Sequence, residues 1–173
     1  MRSPTFHEAP DAGPIPAGAP VVRPLRPADA AACSALVRAC IERDSALPAA
    51  LRAELAQGER PETMLERARL YYVAVCAMEG RPAGVGAIDW NEIRMLCVAP
   101  DLQRRGIGSL MLQHLEAMVP PALFREIFVY ASPSASGFYA RNGYEARGRH
   151  AFRIDRYEIE TVFMVKRLSG SAP

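Results

Sequence analysis

Residues 99–118, APDLQRRGIGSLMLQHLEAM, form the stretch that decides the fold of this chain. They close an apolar run at Pro100, place two glycines and two arginines in a short turn, and continue with the spacing of an amphipathic helix. A strand that passes through such a turn into a helix leaves free backbone N–H groups at the positive end of the helix dipole. This arrangement is typical of a phosphate-binding loop.

The residue order within the turn separates several kinds of phosphate-binding loop. A P-loop requires Lys-Ser or Lys-Thr after its last glycine, whereas Ser109 and Leu110 follow Gly108. A dinucleotide-binding fingerprint requires a third small residue at the position that Met111 occupies. Both nucleotide interpretations are therefore disfavoured. The glycines alone leave a second interpretation open, in which they only shape a turn.

The pattern of apolar residues on both sides of this turn predicts a mixed sheet with helices on both faces. Strands are expected at 21–26, 71–77, 83–89, 92–100, 126–132 and 161–168, and the pair 71–77 and 83–89 reads as a hairpin. Helices are expected at 27–44, at about 108–118 and at 134–143, where Gly143 ends the helix, with two short helical stretches between 48 and 70 broken at QGERP. Residues 144–154 fit either a strand or irregular structure.

Length and composition limit the domain organisation. A chain of 173 residues predicts one domain, which we expect at residues 21–168. Residues 1–20 are rich in Pro, Ala and Gly and are expected to form a disordered leader, and residues 169–173 a short tail. The 21 basic and 19 acidic side chains give a net charge of +2, which supports no nucleic-acid partner.

Cysteine spacing and hydropathy limit the compartment and the chemistry. The four cysteines lack CxxC spacing and zinc-type histidine partners, so reduced thiols and no metal are expected. No apolar segment approaches the length of a membrane span, and the first residues lack the pattern of a signal peptide. These features predict a cytoplasmic protein without a membrane partner. His114 lies among polar residues of its helix and is expected to be solvated.

The turn sequence QRRGIG at residues 103–108 resembles the Q/R-x-x-G-x-G/A pyrophosphate loop of the GNAT acyl-CoA N-acyltransferase family. Residues 92–116 look like the fourth strand, loop and third helix of that family, and ASPSASGFYARNGY at 131–144 looks like the segment after its fifth strand. The resemblance spans about residues 84–145. It implies an α/β (α+β) fold with a mixed, mostly antiparallel sheet, a splayed parallel strand pair and helices on both faces.

The resemblance also implies how acetyl-CoA would bind. The pantetheine arm would pair with the backbone of the splayed strand, and the reacting carbonyl would lie near the N–H of Val98. The pyrophosphate would meet the backbone of the glycine turn. The donor-binding residues implied in this way are Leu96, Cys97, Val98, Gln103, Arg104, Arg105, Gly106, Ile107, Gly108, Ser109, Ser132 and Tyr139. Many family members carry Asn where Ser132 stands, which leaves its role open.

Two side chains are implied as catalytic. Glu92 would act as the base for the acceptor amine, with Asp89 as the substitute and a solvated strand-end carboxylate as the alternative. Tyr139 would protonate the departing thiolate, with a purely packed aromatic ring as the alternative. Cys97 is disfavoured as a nucleophile because the family uses direct attack.

The implied activity is transfer of an acetyl group from acetyl-CoA to the primary amine of a small molecule. A protein Lys or N-terminal acetyltransferase is the nearest alternative, and a non-catalytic acyl-CoA-binding regulatory domain is the third. A homodimer is compatible with the sequence, which does not identify the acceptor.

Overall fold

A computed structural model describes residues 18–168 of the chain. The proposed tail 169–173 and residues 1–17 of the proposed leader lie outside the described residues. The strands are β1 Val21–Pro24, β2 Tyr72–Met78, β3 Arg81–Asp89, β4 Glu92–Val98, β5 Glu126–Ala131, β6 Glu145–Ile154 and β7 Tyr157–Arg167. The helices are α1 Ala30–Arg43, α2 Ala49–Gly58, α3 Pro61–Leu70, α4 Ile107–Ala117 and α5 Ser136–Arg141.

The described strands form one sheet in the order β1-β2-β3-β4-β5-β7-β6. All neighbouring strands are antiparallel except β4 and β5, which are parallel. The predicted mixed, mostly antiparallel sheet is therefore confirmed. Residues 144–154, which the sequence left open, contribute the edge strand β6, and every residue of β6 is exposed.

The parallel strands β4 and β5 are joined at one end only. Their register comprises the two pairs Glu92↔Phe128 and Ile93↔Val129. Asn91 secures this closed end, because its side-chain amide donates to the Glu126 carbonyl at 2.9 Å and its own carbonyl accepts from the Phe128 N–H at 2.9 Å. Beyond Ile93 the strands separate, which gives the splayed pair that the resemblance implied.

Helices cover both faces of the sheet, as the sequence predicted. Helices α1 and α3 pack on β2, β3 and β4, and α2 packs on α1. Helix α4 lies on the opposite face, where it shares a core with β5 and α5. The fully buried residues of this second core include Leu112, Leu115 and Ile127.

A buried ion pair connects α1, α2 and α3, the helices on one face of the sheet. Glu59, between α2 and α3, is 2% exposed and receives both guanidinium nitrogens of Arg67 at 2.7 and 2.6 Å. The Glu59 carbonyl accepts a hydrogen bond from Arg38 of α1 at 2.6 Å. The segment that the sequence marked only as a helix break therefore joins three helices.

Within residues 18–168, no helix combines the length and the apolar character needed to cross a membrane.

Candidate functional site

A cavity of about 660 Å³ lies where β4 and β5 separate, on the face of the sheet that carries α4 and α5. Its walls come from β4, from the loop after β4, from the first turn of α4 and from α5. The lining residues are Leu96, Val98, Gln103, Arg104, Gly106, Gly108, Ser109, Ser134, Ala135, Phe138, Tyr139, Arg141 and Asn142. Eight of the implied site residues therefore share one cavity.

The loop before α4 presents backbone N–H groups to this cavity. Arg104 and Gly106 have positive φ angles of 64° and 83°, and Arg105 between them does not. Such an alternation turns successive N–H groups toward one side and forms an anion-binding concavity. Gly106 immediately precedes α4, so the positive end of the helix dipole lies behind the same N–H groups. The local geometry is therefore suited to a phosphate group.

Gly108 allows helices α4 and α5 to approach each other closely. A Cβ atom added to Gly108 would lie 3.1 Å from Cε2 of Phe138, which is too short for an unstrained contact. Gly108 also lines the cavity, so its implied part in donor binding stays a prediction. The close neighbour that a side chain at this position would meet is Phe138.

The rim of the cavity carries uncompensated positive charge. Arg104 and Arg141 both line the cavity and are exposed. Within residues 18–168 neither guanidinium forms an ion pair with a carboxylate. Arg105 lies outside the lining, and the side chain of Ile107 is buried in the core, so only the backbone of Ile107 is available to a ligand.

The free edge of β4 borders the opening between the strands. The Ala99 N–H donates to the Ala83 carbonyl of β3 at 2.9 Å. Because backbone groups alternate in direction along a strand, the N–H and C=O groups of Leu96 and Val98 point away from β3 and toward the opening. The Val98 carbonyl accepts from Sγ of Cys40 and from Nε2 of Gln103, both at 3.3 Å. The N–H of Val98 therefore faces the space assigned to the reacting carbonyl.

Cys97 belongs to the opposite face of β4. Its side chain contributes nothing to the cavity and packs instead with the α1 core. Contact with Cys40, together with burial, raises the pKa of the Cys97 thiol well above its usual value. A protonated thiol is a poor nucleophile, which agrees with the rejection of an acyl-cysteine route.

Tyr139 projects from α5 into the cavity. It is 5% exposed, and its ring packs against Phe138 and Tyr144 at centroid distances of 5.1 and 5.4 Å. Burial raises the pKa of the Tyr139 phenol, so the hydroxyl stays protonated at neutral pH. Tyr139 is therefore a packed, protonated phenol at the cavity wall, and its role as the acid stays a prediction.

Glu92 lies outside the cavity, at the closed end of the splayed pair. Its side chain is 23% exposed and accepts a hydrogen bond from Arg94 at 2.7 Å. At about 3.3 Å per residue, Glu92 lies roughly 20 Å along the strand from Val98. Asp89 is its register partner on β3. Both carboxylates therefore lie at the closed end of the splay, away from the glycine turn.

Ser132 lies before α5 and outside the cavity lining. Its carbonyl accepts from the N–H groups of Ala135 and Ser136 at 2.9 and 3.1 Å, and its hydroxyl contacts that of Ser134 at 3.0 Å. Ser134 reaches the cavity instead. The role of Ser132 in ligand binding stays a prediction.

Sequence reasoning missed most of the wall that α5 provides. The missed lining residues are Ser134, Ala135, Phe138, Arg141 and Asn142. Ala135, Phe138, Tyr139 and Asn142 have the i, i+3, i+4, i+7 spacing of one helix face. That spacing was a usable signal, since Tyr139 had already been placed at the site.

The expectation that His114 is solvated is wrong. The His114 ring is half-buried between α4 and β2, with Nε2 at 2.8 Å from the Tyr72 hydroxyl. Burial lowers the pKa of His114. Among residues 18–168 no group of three His, Cys, Asp or Glu side chains is placed to hold a metal ion.

A profile of the acetyltransferase (GNAT) domain matches residues 42–168 of this chain. The match includes the splayed strands, the glycine turn and α5. The chain belongs to the GNAT acetyltransferase family. Comparison with curated protein sequences finds no significant match.

Solved structures of other GNAT proteins share this fold. A GCN5-related N-acetyltransferase from Rhodopseudomonas palustris is 26% identical with a TM-score of 0.79, and the alignment covers 90% of this chain and 100% of that one. The PaiA N-acetyltransferase from Thermoplasma acidophilum, solved in complex with coenzyme A, is 16% identical with a TM-score of 0.69, and the alignment covers 87% of this chain and 99% of that one. YncA from Salmonella typhimurium, solved with acetyl-CoA, is 16% identical with a TM-score of 0.64, and the alignment covers 90% of this chain and 97% of that one.

Proposed function

We propose that this chain transfers an acetyl group from acetyl-CoA to the primary amine of a small molecule by direct attack. The observation that carries the proposal is the junction of three features in one cavity. These are the outward-facing backbone of Val98, the N–H groups of the turn before α4 and the protonated hydroxyl of Tyr139. Together they match the needs of a phosphate-bearing thioester.

Each part of the donor has a corresponding element of the cavity. The pyrophosphate is assigned to the N–H groups from Arg104 to Ser109, with the free guanidinium groups of Arg104 and Arg141 at the rim. The pantetheine arm is assigned to the free backbone edge at Leu96 and Val98, where it adds a strand to the sheet. The thioester carbonyl then lies at the Val98 N–H, which stabilises the negative charge that develops on its oxygen. Gln103 contacts the Val98 carbonyl and holds this part of the loop.

Two proton transfers accompany the reaction. An alkylammonium with a pKa near ~10.4 must lose a proton before it attacks. We assign this proton to Glu92 or Asp89 through intervening water, because both carboxylates lie away from the cavity. The neutral amine then attacks the carbonyl, and the C–S bond breaks as the C–N bond forms. Tyr139, the phenol at the cavity wall, donates its hydroxyl proton to the departing thiolate, and the second proton lost by the attacking nitrogen restores the phenol.

The experiment offers acetyl-CoA to the purified full-length chain together with small primary amines, a lysine peptide and a peptide with a free N-terminus. CoA release and the mass of each product identify the acceptor class. Acetylation of a small amine supports the proposal, whereas acetylation of a peptide alone favours the protein acetyltransferase. Tight acetyl-CoA binding by calorimetry without any product favours the regulatory domain.

The domain limits and the location are proposals of the same kind. Residues 21–168 contribute to one continuous sheet and its helices, which supports a single acyltransferase domain. Cys33, Cys40, Cys76 and Cys97 are all free thiols. Free thiols suit a reducing compartment, so we infer a cytoplasmic protein.

A further inference from the structure

The half of the sheet formed by β5, β7 and β6 has a face that no helix within residues 18–168 covers. On that side of the sheet α1 and α3 pack over β2, β3 and β4, and α2 packs on α1. Side chains of β5 alternate, so Ile127 and Val129 enter the core beneath α4 while Phe128 and Tyr130 point to the other side. The uncovered face therefore begins at the splayed strand itself.

Aromatic rings cover this face. Phe128, Tyr130, His150, Phe152 and Phe163 form one cluster, which we call the aromatic wall. Tyr130 is its centre, with ring centroids at 4.8 Å from Phe152, 5.1 Å from Phe163 and 5.6 Å from His150. Phe152 remains 41% exposed. A continuous aromatic surface of this kind is a feature of binding sites rather than of ordinary solvated strands.

The aromatic wall reaches the splayed strand pair where β4 and β5 begin to separate. Phe128 is the register partner of Glu92, so the two side chains share one face of the sheet. Tyr130 follows Val129, the last residue of β5 that pairs with β4. Its ring therefore stands beside the opening, on the side opposite the cavity that holds Tyr139. A molecule resting on the wall would present its nearest atoms to the gap between the strands.

The turn between β6 and β7 limits the far side of the aromatic wall. Arg156 in this turn forms an ion pair with Glu54 of α2, and the Tyr157 hydroxyl donates to the same carboxylate at 3.1 Å. This contact links α2 to the strand pair that carries Phe152. The wall therefore extends from the splayed strands to the α2 contact.

The charges around the wall favour an aromatic ligand over a polycation. Glu92 is paired with Arg94, whose guanidinium lies 5.4 Å from the Tyr71 ring centroid, and Glu54 is paired with Arg156. Each of these two carboxylates is thus already compensated by an arginine. Within residues 18–168 Asp89, the register partner of Glu92, forms no ion pair, which leaves one carboxylate for a single amine. A polyamine or a lysine-rich peptide needs several free carboxylates, whereas a single amine on an aromatic ring needs chiefly a stacking surface.

We propose that the aromatic wall binds the acceptor and that the acceptor is a primary amine carried on an aromatic ring, an arylalkylamine. This inference rests on the proposed acetyl transfer. It assigns the ring of the acceptor to Tyr130, Phe152 and Phe163 and directs its amine toward the gap between β4 and β5. The Phe128–Glu92 pair then lies at the closed end of that gap.

The test compares 2-phenylethylamine with n-butylamine and spermidine in the presence of acetyl-CoA. We expect kcat/KM for 2-phenylethylamine to exceed both others by about 10-fold or more, because only this amine stacks on the wall. Phe152→Ala should raise its KM by about 3- to 10-fold while leaving the KM for acetyl-CoA unchanged. Leu123→Ala is the matched control, since Leu123 is an apolar side chain in the loop before β5, is 65% exposed and is absent from the ring cluster.

Several results would overturn the inference while leaving the proposed function intact. These are a preference for spermidine, equal effects of Phe152→Ala and Leu123→Ala, or a dimer in sedimentation that Phe152→Ala dissociates. If acetyl-CoA itself fails to bind in calorimetry, the proposed function fails. The wall is then judged by NMR titration of the chain with 2-phenylethylamine. Shifts of the aromatic-wall ring signals that Phe152→Ala abolishes support it, and unchanged signals refute it.

Discussion

At the scale of single residues, a substitution of Ser109 can change anion binding at the start of α4 without lowering the stability of the helix. Ser109 is the third residue of the helix and lines the cavity. A carboxylate there interacts favourably with the helix dipole, worth about 0.3–1 kcal/mol, but repels a pyrophosphate. Ser109→Asp should therefore keep or raise the melting temperature while weakening acetyl-CoA binding by about 30-fold or more. Calorimetry on the folded variant measures the affinity.

Gln113→Asp provides the control for this substitution. Gln113 is exposed one turn further along α4 and does not line the cavity, yet the same charge is added. Its acetyl-CoA affinity should stay within about 2-fold of the parent chain, since surface charges are largely screened. Normal binding by Ser109→Asp would remove the turn from its proposed role. Gly108 is a poorer test site, because any side chain there meets Phe138.

Substitution of Tyr139 by phenylalanine removes only the hydroxyl and tests whether it protonates the departing thiolate. Tyr139→Phe keeps the ring that packs against Phe138 and should lower kcat by about 10²- to 10⁴-fold, the usual contribution of a positioned acid. The Kd for acetyl-CoA should change little, because the hydroxyl acts on the leaving group. Stopped-assay kinetics with the identified acceptor measure both quantities.

Tyr144→Phe is the matched control for Tyr139→Phe. Tyr144 is 3% exposed and its ring touches that of Tyr139, but it does not line the cavity. We expect its kcat to stay within about 2-fold of the parent chain, because it loses no proton donor at the site. Equal kcat values for both variants would return Tyr139 to a packing role.

At the scale of elements, the packing of α1, α2 and α3 depends on the buried ion pair between Glu59 and Arg67. Arg67→Ala would leave the Glu59 carboxylate buried without its partner, which costs about 3–5 kcal/mol. Urea unfolding should show this loss as a lower midpoint. Arg69→Ala, on an exposed position of the same helix, should stay within about 0.5 kcal/mol of the parent chain. A loss below about 1 kcal/mol for Arg67→Ala would mean that water replaces the pair.

Local patterns predicted the elements that bury one face. Helix α4 and the β2–β3 hairpin have clear periods of 3.6 and 2, and both were predicted close to their observed bounds. Strand β6 has no such period, because it is an edge strand exposed along its whole length. The insertion of β7 between β5 and β6 and the Glu59–Arg67 pair depend on contacts between chain segments. Spacing along the sequence does not encode such contacts.

The candidate site likewise has parts that the sequence predicted and parts that it did not. The turn before α4 was predictable because glycines and arginines occur there in consecutive positions. The aromatic wall was not, because its five rings come from β5, β6 and β7 and meet only when these strands pair. Glu92 lies outside the cavity, so its role as a base stays a prediction that rests on the resemblance.

At the scale of the whole molecule, the sheet separates two working faces that its splayed centre connects. The face under α4 and α5 carries the anion-binding turn and Tyr139, and the other carries the aromatic wall. Such a division needs α4 to be held rigidly on the sheet. The contact between His114 of α4 and Tyr72 of β2 contributes to this attachment and makes the stability of the molecule depend on pH.

The sign of this dependence follows from burial, which lowers the pKa of His114 below its ordinary value of 6.5. As pH falls through 6.5, the unfolded chain binds a proton before the folded chain does, so folding stability decreases until the folded-state pKa is passed. The melting temperature should therefore fall between pH 7.5 and 5.5, by about 2–4 °C for each kcal/mol lost. His114→Gln should flatten this part of the profile, whereas His150→Gln, at an exposed position, should leave its slope unchanged. Calorimetric scans of the three proteins at a series of pH values decide the matter, and parallel profiles for the parent chain and His114→Gln would assign the dependence to other groups.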